Sequence, residues 1–312
     1  MSRTILTVLW ATLLLLSLQS CYRMRPSRGG GQTGSTPARA INTADIAVPE
    51  GYKIEVVTTG LTFPTGAALD DSNNLYVIEA GYSYGEVWSE PRLLRIGPGG
   101  TTTIVARGPK NGPWSGVTWH NGAFYVAEGG EMEGGRILRI TKDGTIQALV
   151  ANLPTMGDHH TNGPAIRDGY IYFGLGTATN SGVVGEDNWE FGWLKRKPDF
   201  HDIPCQDIVL AGQNYGSGNP LTEVPNDTAT TGAYVPFGTP TTSGQVIRGA
   251  IPCSGSILRI PLQGGQPELV AWGLRNPFGL SFAPNGRLFV TENGFDERGS
   301  RRVWGAVMCC GK

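Results

Sequence analysis

Two histidines stand side by side, His159 and His160, in the stretch GDHHTNGPAIRDGYIYFGLG over residues 157–176. The chain has only four histidines, so the pairing asks for an explanation. Imidazole is the one side chain whose ordinary pKa lies near neutral pH, which suits it to general acid–base work. A second pattern is made of carboxylates. Glu79, Glu128 and Glu292 each close an apolar run, in LYVIEAG, FYVAEGG and LFVTENG. They are read as ends of inner strands, either a ring of carboxylates able to hold a cation or a hydrogen bond repeated from unit to unit. A third is RNP at 275–277, which opens another strand-like run. From residue types alone, the duller role for the histidine pair is bonding to turn carbonyls.

These residues need a scaffold. Charged residues make up 16% and glycine 46 of 312, against typical values of about 25% and about 7%. Little charge, much glycine and many β-formers point to an all-β chain rich in turns. The net charge of −1 gives no basic face, so nucleic acid is not an expected partner.

The chain also repeats itself. PTGAALDDSNNLYVIEAG, WSGVTWHNGAFYVAEGG, NGPAIRDGYIYFGLG and FGLSFAPNGRLFVTENG are four versions of one hairpin. RLLRIGPGGTTTIVA, RILRITKDGTIQALVANLP and SILRIPLQGGQPELVAWGL are three versions of a second. Asn-Gly and Asp-Gly pairs supply the tight turns, because glycine accepts positive φ. The aligned glycines Gly66, Gly116 and Gly163 are 50 and 47 residues apart; Gly279 follows 116 residues later. A period near 40–50 residues with two hairpins per unit is the pattern of propeller blades. The expected architecture is a β-propeller with about three and a half blades, carrying a long insertion at 179–255. In the insertion, Trp189, Phe191 and Trp193 either cover a site or form a small core of their own.

The ends are distinctive. A short basic start, an apolar run at 5–18 and LQSC at 18–21 resemble a lipoprotein signal of about 20 residues with Cys21 as the lipidated residue. A flexible tether would follow to about residue 45, and the propeller would occupy 46–312. The expected location is the bacterial cell envelope, touching the membrane only through that anchor. In that compartment Cys205 and Cys253 are candidates for a disulfide. The last segment, RRVWGAVMCCGK, has no counterpart among the earlier units, so the chain reads as truncated or frame-shifted, and the vicinal Cys309 and Cys310 need no role.

WGLRNPFGLSFAPNGRLFVTENGFDERGSR at 272–301 resembles the signature of the glucose/sorbosone dehydrogenases, and HTNGPAI at 160–166 agrees with it. The likeness covers about residues 46–301. It implies a six-bladed quinoprotein propeller that uses pyrroloquinoline quinone (PQQ) and calcium to oxidise a sugar hydroxyl, passing electrons to an external acceptor. It implies His160 as general base, with Asp158, Arg275 and Asn276 beside the cofactor. It also implies backbone carbonyls of Gly294 and Phe295 as calcium ligands, with Phe295 standing where the family often has proline. Competing readings are a calcium-dependent lactonase or esterase with Glu79, Asn162 and Asn276 as ligands, and a propeller that only binds.

Overall fold

A computed structural model describes residues 41–294 apart from 82–89, 131–132, 158 and 191. Cys21, Asp158 and Phe295 lie outside the described residues, as do Cys309 and Cys310.

The described chain forms three four-stranded antiparallel blades and a two-stranded fourth. The first blade is β1 (Pro64–Leu69), β2 (Leu75–Glu79), β3 (Arg92–Ile96) and β4 (Thr102–Arg107). The second is β5 (Trp114–His120), β6 (Ala123–Glu128), β7 (Gly135–Thr141) and β8 (Ile146–Leu153). The third begins with β9 (Thr161–Arg167) and β10 (Tyr170–Leu175). It then breaks for an insertion holding α1 (Glu186–Glu190), α2 (Trp193–Arg196) and two small ribbons. One ribbon pairs β11 (Ile208–Val209) with β14 (Val246–Ile247), the other β12 (Asn214–Gly218) with β13 (Thr228–Gly232). The third blade resumes with β15 (Ser256–Pro261), which pairs with β10, and β16 (Glu268–Trp272). β17 (Pro277–Phe282) and β18 (Leu288–Glu292) form the fourth unit.

The first strands β1, β5, β9 and β17 pack on one another in turn, so they line the axis. Each carries one of the aligned glycines at its third residue. The approach explains the repeat: a Cβ on Gly116 would meet the Gly163 carbonyl oxygen at 1.9 Å. The residue before that glycine sits at a bulge in β1, β5 and β17, which turns its side chain toward the neighbouring blade. Thr65 Oγ1 donates to the Trp114 carbonyl at 2.5 Å and Ser115 Oγ to the Thr161 carbonyl at 2.6 Å.

Between blades lies the apolar core. β6 is buried at every position, whereas β1 is exposed or half-buried throughout. Tyr76, Ile78 and Leu93 of the first blade meet Trp114, Phe124 and Leu138 of the second. A second layer joins the second blade to the third through Tyr125, Ile171, Phe173 and Leu258, and it includes Cys205 and Cys253. Those cysteines form a disulfide with Cα atoms 5.0 Å apart. The insertion has a core of its own built on Trp193, Leu194, Phe200 and Phe237, with Trp189 packed against it. Trp193 is fully buried there, so Trp189 and Trp193 serve packing rather than a site mouth, and Phe191 lies outside the described residues.

Candidate active site

The loops that enter β9 and β17 place His160 and the Arg275–Asn276 pair at the same end of the axis. His160 directly precedes β9, and Arg275 and Asn276 directly precede β17. Asn162 joins the two corners. Its amide nitrogen donates to the His160 carbonyl at 3.1 Å and to Asn276 Oδ1 at 3.0 Å. Asn162 is itself buried, so water competes little for these bonds. Because Asn276 Oδ1 accepts from Asn162, the Asn276 NH2 group is turned away from it.

His159 and His160 have different surroundings. His159 Nδ1 bonds the Thr177 carbonyl at 2.9 Å, which fits a structural role. Its neighbour's backbone is fixed by the Gly176 N–H donating to the His160 carbonyl at 3.1 Å. A Cβ on Gly129 would come to 3.0 Å from the His160 Cβ, and one on Gly176 to 2.1 Å from the His159 Cβ. Glycine at both positions is what lets the second and third blades close on the pair. Burial pulls the His160 pKa down to about 4, because a charged imidazole would lose its water. The ordinary near-neutral pKa expected from residue type therefore does not apply. The ring is neutral across the physiological range.

Arg275 is 5% exposed. Its Nε donates to Asn180 Oδ1 at 2.7 Å and its Nη1 to the Gly294 carbonyl at 2.5 Å. Its backbone N–H donates to the Glu292 carboxylate and its carbonyl accepts from Thr177 N at 2.8 Å. The loop before β17 is thus tied both to β18 and to the start of the insertion.

One expectation needs correction. Glu79, Glu128 and Glu292 end the second strands β2, β6 and β18, not the inner ones. Glu79 sits opposite Arg92 in register, pairs with its guanidinium and accepts from Thr62 N at 2.7 Å. Glu128 sits opposite Arg136, bonds it at 3.2 Å and accepts from Asn111 and Trp114. Each carboxylate anchors the loop that feeds its blade, and Glu292 does so for the loop bearing Arg275. The expected calcium ligands are the carbonyls of Gly294 and Phe295, and Phe295 lies outside the described residues. The Gly294 carbonyl, expected to bind the ion, is held by the Arg275 guanidinium instead. A dication on the same oxygen would lie close to a positive charge, at a Coulomb cost of about 8 kcal/mol at 4 Å and an effective dielectric of about 20. No group of three or more His, Cys, Asp or Glu able to hold a metal occurs among the described residues. Of the ligands expected for a lactonase, the Glu79 carboxylate pairs with Arg92 and the Asn276 oxygen accepts from Asn162.

The residues do suit a flat, anionic, hydrogen-bond-accepting group such as a quinone carboxylate. A buried guanidinium and an amide NH2 group supply positive charge and donors beside a neutral imidazole.

Asn162 as the link between the corners is absent from the dehydrogenase-like assignments made from sequence. Its position before the aligned Gly163, where Thr65 and Ser115 stand in the other blades, was the available signal.

No family model matches this chain, and no curated protein matches it. Among solved structures, it is similar to the PQQ domain of pyranose dehydrogenase from Coprinopsis cinerea, with 14% identity and a TM-score of 0.45. That match covers 80% of this chain and 48% of the other, so the chain spans about half the length of that domain. A putative oxidoreductase (glucose dehydrogenase) from Thermus thermophilus matches at 16% identity and a TM-score of 0.33, covering 80% of this chain and 96% of the other. The PQQ-bound aldose sugar dehydrogenase of Streptomyces coelicolor matches at 15% identity and a TM-score of 0.32, covering 81% and 95%. At these values the likenesses assign no activity to this chain.

Proposed function

We propose that this end of the propeller is a carbohydrate-oxidising site, with His160 as the general base. The observation that carries the reading is the buried Asn162 amide that ties His160 to Asn276 across 114 residues of sequence. A clamp of this kind holds a base and a donor in fixed relation, which is what proximity catalysis requires. In the proposal, the neutral imidazole takes the proton of a sugar hydroxyl. Its pKa of about 4 keeps the ring in the unprotonated form that can accept a proton, while burial makes it a weaker base than an ordinary imidazole. Arg275 and the Asn276 NH2 group bind and orient the acceptor. When bound, a PQQ-type quinone would supply the two-electron acceptor for the hydrogen lost from carbon. An external acceptor then regenerates it. Export to the cell envelope with lipidation at Cys21 belongs to the same proposal, and the Cys205–Cys253 disulfide suits an oxidising compartment.

The test is reconstitution of the full chain with PQQ, with and without calcium, followed by quinone absorbance and dye reduction with aldoses. Retained quinone and sugar-dependent reduction, lost in His160→Gln while quinone is still retained, would support the proposal. No quinone retention under either condition would refute it.

A further inference from the structure

A pocket of about 390 Å³ opens between the second and third blades. The volume lies within the range of small-molecule sites, about 300–1,000 Å³. The pocket lies among the turns β5–β6, β7–β8 and β15–β16, at the end of the strands opposite the loop that bears His160. Arg139 lines it, and no aspartate or glutamate does.

The other blades show why Arg139 is unusual. Each four-stranded blade sets an arginine opposite a tyrosine of its second strand. Arg95 is opposite Tyr76, Arg139 opposite Tyr125 and Arg259 opposite Tyr172. The first and third of these arginines are satisfied within their own blades. Arg95 Nη2 donates to Asn74 Oδ1 at 2.8 Å. Arg259 Nε donates to the Glu268 carboxylate at 2.9 Å, and the guanidinium lies 4.3 Å from the centroid of the Tyr170 ring. In the second blade both kinds of partner are replaced. Ala123 stands where the other blades have Asn74 and Tyr170, two residues before the tyrosine. Gln147 is opposite Arg139 on β8, where Glu268 is opposite Arg259 on β16. Among the described residues Arg139 makes no hydrogen bond or ion pair. The pocket therefore holds a half-buried guanidinium whose charge no lining carboxylate offsets.

We propose that this pocket binds a small organic carboxylate, with Arg139 as its anchor. A guanidinium and a carboxylate can form two parallel N–H···O bonds, each about twice as strong as a neutral hydrogen bond. His120 and the amides of Gln147 and Gln263 add donors around it. Tyr125, Leu149 and Leu262 give the carbon body of the ligand an apolar wall, the usual complement to a few placed polar groups. A bare phosphate ion would leave that wall unfilled. One unbalanced positive charge matches a monoanion.

The site shares no residue with the candidate active site, so its test and the quinone test succeed or fail separately. The full chain is titrated calorimetrically with benzoate, with neutral benzamide and with inorganic phosphate, no cofactor or metal being added. Saturable binding of benzoate is expected, tighter than that of the other two. Arg139→Gln should weaken it about tenfold or more. Gln147→Glu gives the second blade the ion pair of the third. It should weaken binding alike, with a melting temperature equal to or above that of the parent. Arg95→Gln should leave binding unchanged. The proposal would be overturned by no saturable binding of benzoate, or by benzamide or phosphate binding as tightly. Unchanged binding in both Arg139→Gln and Gln147→Glu, or an equal loss in Arg95→Gln, would overturn it too.

Discussion

At the first two blade interfaces a short hydroxyl side chain reaches a backbone carbonyl of the next blade. Thr65 reaches the Trp114 carbonyl and Ser115 the Thr161 carbonyl. At the third interface the equivalent residue is Asn162, and its longer amide reaches a side chain, Asn276, while also holding the His160 carbonyl. Hydroxyl to carbonyl is a stitch that any blade can repeat. Amide to amide fixes the orientation of a particular side chain, and it occurs where the histidine pair and the RNP corner meet. The departure from the repeat therefore marks the site better than the repeat does.

The largest expected effect on this contrast comes from His160→Gln. Turnover should fall by about 100- to 10,000-fold, the usual worth of a general base, with the melting temperature close to that of the parent. Thr65→Val at the first interface should leave turnover unchanged. Acid stability should follow next. His160 has its pKa lowered from 6.5 to about 4, so the unfolded chain binds the proton first. The stabilising contribution is complete above pH 6.5 and is lost as pH falls to 4, amounting to about 3 kcal/mol. Denaturant midpoints measured from pH 7 to pH 4 should fall more in the parent than in His160→Gln.

Asn162→Ser gives the third interface the chemistry of the second. Misplacing a base relative to its partner costs on the order of 100-fold, so kcat should drop by about that much while KM for sugar moves little. Equal losses in Asn162→Ser and Ser115→Ala would erase the contrast. Smallest is Ser115→Ala itself, expected to cost about 1 kcal/mol of stability for one hydrogen bond, read by urea denaturation, with no change in turnover.

Much of the fold was legible because blades repeat. The modules fall on β1 to β10 and β15 to β18, and the insertion expected at 179–255 fills the gap between Leu175 and Ser256. The glutamate strands differ from expectation because a long apolar run suggests the inner position. In a blade, the second strand is covered on both faces by neighbouring blades and is the most apolar, as β6 is. The axial strand is glycine-rich and half-open, as β1 is. His160 could be singled out by residue type, but its lowered pKa comes from burial by two other chain segments. The grip of Arg275 on Gly294 depends on a side-chain direction that residue order does not encode. Asn162 is not legible in the sequence as a link to Asn276 because its partner lies 114 residues away.

The decisive measurement is a double-mutant cycle for Asn162→Ala and Asn276→Ala, read by equilibrium unfolding of the full chain. If the two residues share one partly buried hydrogen bond at a common end of the ring, they should be coupled by about 1 kcal/mol. Strict additivity would separate the corners and leave no common pocket for base and acceptor.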